Sequence, residues 1–83
     1  MTESVEKKVK EIIADISGFE PAELTRDTRL NEDLEVDSIK AIEITVAIEK
    51  AFKISVRDED VPRILTVGDA VDTVEKVLGA RAS

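Results

Sequence analysis

Ser38 is the residue whose setting most invites chemistry. It follows the stretch Asn31-Glu32-Asp33-Leu34-Glu35-Val36-Asp37, which carries acids and no base, and it opens a run to Phe52 without Gly or Pro. A serine hydroxyl needs a neighbouring base to act as a nucleophile by itself. The chain has no His and no Cys, and no lysine is evidently placed to serve Ser38. Catalytic triads, thiolate nucleophiles and Cys/His zinc sites are therefore excluded. What Ser38 can do is receive a phosphate-bearing group, which would lie at the positive end of a helix beside backbone N–H groups. The plainer reading of Asp37-Ser38 is a helix start. On these residues alone both readings stand.

Other chemistries find less support. A calcium loop from Asn31 would need Gly at its sixth place and Glu at its twelfth, where Val36 and Ile42 stand. The acids Asp58-Glu59-Asp60 lack the spacing too, so no specific metal site is expected. There is no Gly-rich phosphate loop. Paired-carboxylate hydrolysis needs a substrate cleft, for which 83 residues with 2% aromatics leave little room. The expectation is a protein that is not an enzyme.

Composition sets the frame for these residues. A chain of 83 residues is one domain, 1–83, burying only about 60–65% of its unfolded surface. The apolar share of 42% supports a compact fold, and its core must be aliphatic because Phe19 and Phe52 are the sole aromatics. With 19 acids against 12 bases the net charge is -7, which disfavours nucleic acid and favours basic protein partners. No apolar run approaches the roughly 20 residues of a membrane span, and no signal segment opens the chain. A cytoplasmic monomer is expected.

Helical spacing then supplies the elements. Val5, Val9, Ile12, Ile13 and Ile16 make one stripe, predicting a helix from Ser4, a possible cap, to Ser17, with Gly18 as its left-handed end. A long connection, Phe19 to Val36, has Phe19, Leu24, Leu30 and Leu34 as apolar anchors, and Pro21 suits the start of one short turn. Ile42-Glu43-Ile44-Thr45-Val46-Ala47-Ile48 alternates like a strand. The uninterrupted run from Ser38 and its cap signals favour a helix, as does the lack of a pairing strand.

That second helix has two apolar faces. Ala41, Ile44, Ile48, Ala51 and Phe52 form a core face; Ile39, Ile42 and Val46 form a second stripe among Glu43, Glu49 and Lys50. Such a surplus stripe is either covered by neighbours or offered to a partner. Ile54 and Val56 then look inward. A short third helix is expected from the acids at Asp58 through about Leu65. A last helix opens on the capping box Thr66-Val67-Gly68-Asp69 and ends at Gly79. The predicted fold is all-α: a small four-helix bundle of three longer helices and one short third helix. A long loop joins helices 1 and 2, and the termini, 1–4 and 79–83, are loose.

Three motifs in order carry a resemblance. Leu34-Glu35-Val36-Asp37-Ser38-Ile39 resembles the D-S-[LI] attachment motif of acyl carrier proteins, with Glu43 following at the family's usual distance. Ile48-Glu49-Lys50-Ala51-Phe52-Lys53-Ile54 is similar to that family's L-E-x-x-F-x-I, and Thr66-Val67-Gly68-Asp69-Ala70-Val71 to its T-V-G-D-A-V. The similarity runs from about Val5 to Leu78. It implies a carrier: 4′-phosphopantetheine attached to Ser38 from coenzyme A by a phosphopantetheinyl transferase, with Asp37 as motif neighbour. The cargo would be an acyl thioester presented to the acyl-loading and acyl-processing enzymes of fatty-acid, polyketide or related lipid biosynthesis, and such carriers can shelter it between helices. In such a carrier Asp37 could cap the helix or position a metal brought by the transferase. Partners would meet Ile39, Ile42 and Val46 as apolar centre, with Glu35, Asp37, Glu43 and Glu49 as acidic rim and Lys40 and Lys50 interrupting it.

Departures from the family's habit are Lys40 after the motif, Lys50 on the acidic face, Val36 before the Asp and Arg57 where Pro is frequent. They leave room for a specialised carrier serving a polyketide, lipid or other dedicated pathway, and the short termini and single domain suggest a free-standing one. Two alternatives remain: an amino-acyl carrier of peptidyl or D-alanyl type, whose usual Gly-Gly surroundings are absent, and a helical interaction module that carries nothing.

Overall fold

The computed structural model describes residues 2–82, with side chains from 5 to 79. Three α-helices, α1 (Thr2–Ser17), α2 (Ser38–Phe52) and α3 (Val67–Ala82), alternate with single 3₁₀ turns at Pro21–Glu23 and Val61–Arg63. Among the described residues there is no strand, only one isolated antiparallel bridge between Arg29 and Thr66. The alternating segment of α2 is helical, because one face of it has a core to meet: α1 packs against both α2 and α3.

Each helix owes its place to an aliphatic stripe. Val9 and Ile13 of α1 are fully enclosed, as are Val67 and Val71 of α3, and Ile44 and Ile48 of α2 close the third side. The long connection lies on this core through buried Leu24, Leu30, Leu34 and Val36, with Phe19 half-buried. Each such aliphatic burial contributes about 1.5–3 kcal/mol. At Gly18 the backbone turns left-handed, φ 85°, and Gly18 and Phe19 donate to the Ala14 carbonyl, which ends α1 as a glycine C-cap does.

Several expectations need correction. The bundle has three helices, not four: the expected third helix is only the 3₁₀ turn Val61–Arg63. The acids 58–60 form the turn before it, and Pro62, without an N–H, does not extend it. The backbone is already helical at Thr2, so Ser4 lies inside α1 and not before it. At the other end α3 runs through Gly79 to Ala82, since nothing there requires a left-handed residue. The ends are thus helical over much of the stretches expected to be loose; Met1 and Ser83 lie outside the described residues. Ala51, assigned to the core face of α2, is exposed.

Candidate functional site

The approach to α2 is an ordered path. Leu30 donates its N–H to the Leu65 carbonyl (3.0 Å), and Val36 donates to the Leu30 carbonyl (2.9 Å). Between them Asp33 and Leu34 donate to the Arg29 carbonyl, while the Asp33 carboxylate accepts the Arg29 N–H at 2.8 Å. Glu32 pairs with the Arg29 guanidinium at 2.7 Å and raises its pKa, chiefly through that hydrogen bond. Two acids of the cluster are therefore engaged within the loop, and among the described residues no group of acids is placed to hold a metal ion. Glu35 adopts φ 54°, a left-handed turn that keeps its carboxylate outside while Leu34 and Val36 are buried on either side.

This path delivers Asp37 in an extended conformation as the N-cap of α2, its carboxylate accepting the Lys40 N–H at 2.8 Å. Ser38 is the first helical residue and is exposed. Its hydroxyl takes no part in the hydrogen bonds of the described side chains, so capping belongs to Asp37. Ala41 donates to the Asp37 carbonyl; the N–H groups of Ser38 and Ile39 have no partner among the described residues. Beside Ser38 lies an open groove of about 410 Å³, lined by Leu30, Val36, Ile42, Pro62 and Leu65 among others. Deeper, between α2 and α3, the interior holds a gap of about 20 Å³ bordered by Ile44, Ile48, Val56 and Val74. That is room for about one water, so any longer guest requires the helices to part.

The outer face of α2 settles the two-stripe question. Ile39, Ile42 and Val46 are 68%, 59% and 40% exposed. Glu35, Asp37, Glu43 and Lys50 are exposed around them, and Lys40 is half-buried. Glu49 differs from expectation. It is half-buried, and its carboxylate accepts the Val56 N–H at 2.7 Å, holding the chain after α2. Leu65, 64% exposed in the groove, was missed by sequence reasoning. By its spacing Leu65 is only the end of the expected short helix, and its place opposite Ser38 has no local signal.

Comparison with known proteins places this arrangement. Residues 7–74 match the family model described as the phosphopantetheine attachment site. The chain belongs to the acyl carrier protein family. Similar relatives are the acyl carrier proteins of Porphyromonas gingivalis, 40% identical over 89% of this chain and 95% of that one, and of Akkermansia muciniphila, 41% identical over 92% and 95%. Among solved structures, the thermally stable acyl carrier protein of Enterococcus faecalis superposes with a TM-score of 0.79. It is 34% identical, covering 93% of this chain and 98% of that one. The apo doublet acyl carrier protein from prodigiosin biosynthesis gives 0.76 at 30% identity, covering 89% of this chain and 36% of that longer one.

Phosphopantetheine is the prosthetic group that goes with this family model. The α2 entrance suits it on its own chemistry. A phosphodiester is anionic, and the entrance offers an exposed hydroxyl, the positive end of a 15-residue helix and N–H donors that nothing else in the described protein uses.

Proposed function

We propose that this protein carries acyl groups as thioesters on 4′-phosphopantetheine attached to Ser38, and presents them to enzymes of fatty-acid, polyketide or related lipid biosynthesis. The observation that carries the assignment is the exposed Ser38 hydroxyl at a helix entrance whose first N–H groups are unclaimed. The prosthetic group supplies a flexible arm ending in a thiol. The chain's own residues do the rest. Ser38 contributes the oxygen of the phosphodiester. Asp37 caps α2 through Lys40 N–H, leaving the N–H groups of Ser38 and Ile39 to face the phosphate. Leu65 and Ile42 flank the groove into which the arm and a short acyl chain can lean.

Catalysis belongs to the partners in this reading. A phosphopantetheinyl transferase, then acyl-loading and acyl-processing enzymes, meet the exposed stripe Ile39, Ile42 and Val46 with Glu35, Asp37 and Glu43 around it. Glu49 is left out of that rim because its carboxylate is engaged with Val56. No helix among the described residues is long and apolar enough to cross a membrane, and a cytoplasmic location goes with this proposal. The test is mass spectrometry after incubation with coenzyme A and a broad-specificity transferase. Wild type should gain the mass of one phosphopantetheine and Ser38→Ala none. Modification of the Ala variant would overturn the assignment.

A further inference from the structure

The outer face of α2 changes sign along its length. At the Ser38 end Glu35, Asp37 and Glu43 are exposed. Lys40 is the base of this end, but it is half-buried and lies about 100° round the helix from Ile39, away from the apolar stripe. The other end is different. Glu49, the one acid there, is turned back onto the Val56 N–H. Lys50 is exposed, stands one turn beyond Val46 and forms no ion pair among the described residues. It lies two turns beyond Glu43 on nearly the same side, about 10 Å along the axis.

The stripe therefore ends in an uncompensated ammonium. A partner that covers Ile39, Ile42 and Val46 must also take water from Lys50, which is costly without an opposite charge, and a uniformly basic partner would set like charge against it. Resting on the carrier reading above, we infer that the enzymes docking on α2 are charge-polarised. They present bases to the Ser38 end and a carboxylate to Lys50, with an apolar patch between. The polarity fixes which way along α2 a partner lies, and hence brings its active site to Ser38 and not to the opposite end.

The sign of one charge reversal tests this. The partner to use is the phosphopantetheinyl transferase of the source organism, acting on the full chain with coenzyme A, with KM for the carrier measured at low and high salt. A polarised partner predicts that Lys50→Glu raises KM about 3–10-fold at low salt, with Lys50→Gln between it and wild type and the differences shrinking at high salt. Glu43→Lys should raise KM as well. A KM that falls for Lys50→Glu would show a uniformly basic partner, and an unchanged KM would put Lys50 outside the interface; either overturns the inference while the carrier reading stands. If wild type itself gains no mass, the carrier reading fails and the inference with it. Melting curves of each variant establish that the compared chains are folded.

Discussion

The entrances of α2 and α3 are built from similar residues and finished in opposite ways. At α3 every N–H of the first turn is taken up inside the protein. Thr66 and Leu65 donate to the Asp69 carboxylate, and Asp69 donates back to the Thr66 hydroxyl. Val67 and Gly68 donate to the Thr28 and Arg26 carbonyls of the long connection. At α2 Asp37 takes one donor, Lys40 stands where a reciprocating Glu would complete the box, and the donors of Ser38 and Ile39 stay open. A closed entrance supports the fold. An open one costs some stability and leaves a place for an anion. The two should therefore fail differently when altered.

The largest separation is expected between Gly68→Ala and Ser38→Ala. A Cβ on Gly68 would meet the Arg26 carbonyl oxygen at 2.9 Å and the Arg26 Cβ at 3.2 Å. Backbone is the obstacle, so the loop must move off α3, at a cost of about 1–3 kcal/mol. Denaturant melts should show that loss, while the folded fraction still accepts phosphopantetheine. Ser38→Ala should show the converse: loading abolished, stability within about 0.5 kcal/mol of wild type, because an exposed hydroxyl without a partner is removed. If Ser38→Ala proves the more destabilising of the two, the α2 entrance is structural after all.

The caps come next. Thr66→Ala and Asp37→Ala each remove a side-chain acceptor and should cost about 0.5–2 kcal/mol by thermal or urea unfolding. Each leaves one N–H unpaired, but the Asp69–Thr66 bond is part-buried and the Lys40–Asp37 bond exposed to water, so Thr66→Ala should be the larger. Lys40→Glu should act with the opposite sign. It replaces a cation in the first turn of α2 by an anion and offers an acceptor to the Asp37 N–H, a gain of about 0.3–1 kcal/mol. No gain would mean that the half-buried Lys40 stem packs usefully where it is.

What could be read beforehand divides along the same line. Caps and stripes are local, so Asp37, the Thr66–Asp69 box, the Val9/Ile13 stripe and the two faces of α2 were legible from neighbours three and four residues apart. So was the resemblance to the carrier family. Long-range facts were not. Glu49 reads as a surface acid until the left-handed Lys53, φ 55°, turns the chain back and brings Val56 N–H to it. Leu65 reads as the end of a short helix until the loop carrying Leu30 pairs with its carbonyl. The acids at 58–60 suit a helix start, but the turn that follows is too short to be one. Gly79 reads as a stop, although glycine only permits a left-handed turn and does not impose it.

The smallest expected effect concerns how the closed entrance is held from behind. Arg26, whose carbonyl receives Gly68 N–H, is itself fixed by Glu6 of α1 at 3.2 Å and by Asp72 of α3. Glu6 also pairs with Lys10 at 3.0 Å. These cations, Lys10 first and then Arg26, hold the Glu6 carboxyl below its ordinary pKa. A carboxyl with a lowered pKa in the folded state binds its proton more readily when unfolded. Its contribution is therefore present above the ordinary carboxylate pKa and fades as pH falls through the lower folded value. The groups are exposed and screened, so the effect is modest. Melting temperatures of wild type and Glu6→Gln should differ most near neutral pH, wild type being the more stable, and should converge as the pH is taken into the acid range. High salt should narrow the gap at neutral pH as well. A gap that persists unchanged at low pH would mean that Glu6 supports the entrance by packing and not by charge. The Arg26 clamp would then rest on its ion pair with Asp72 alone.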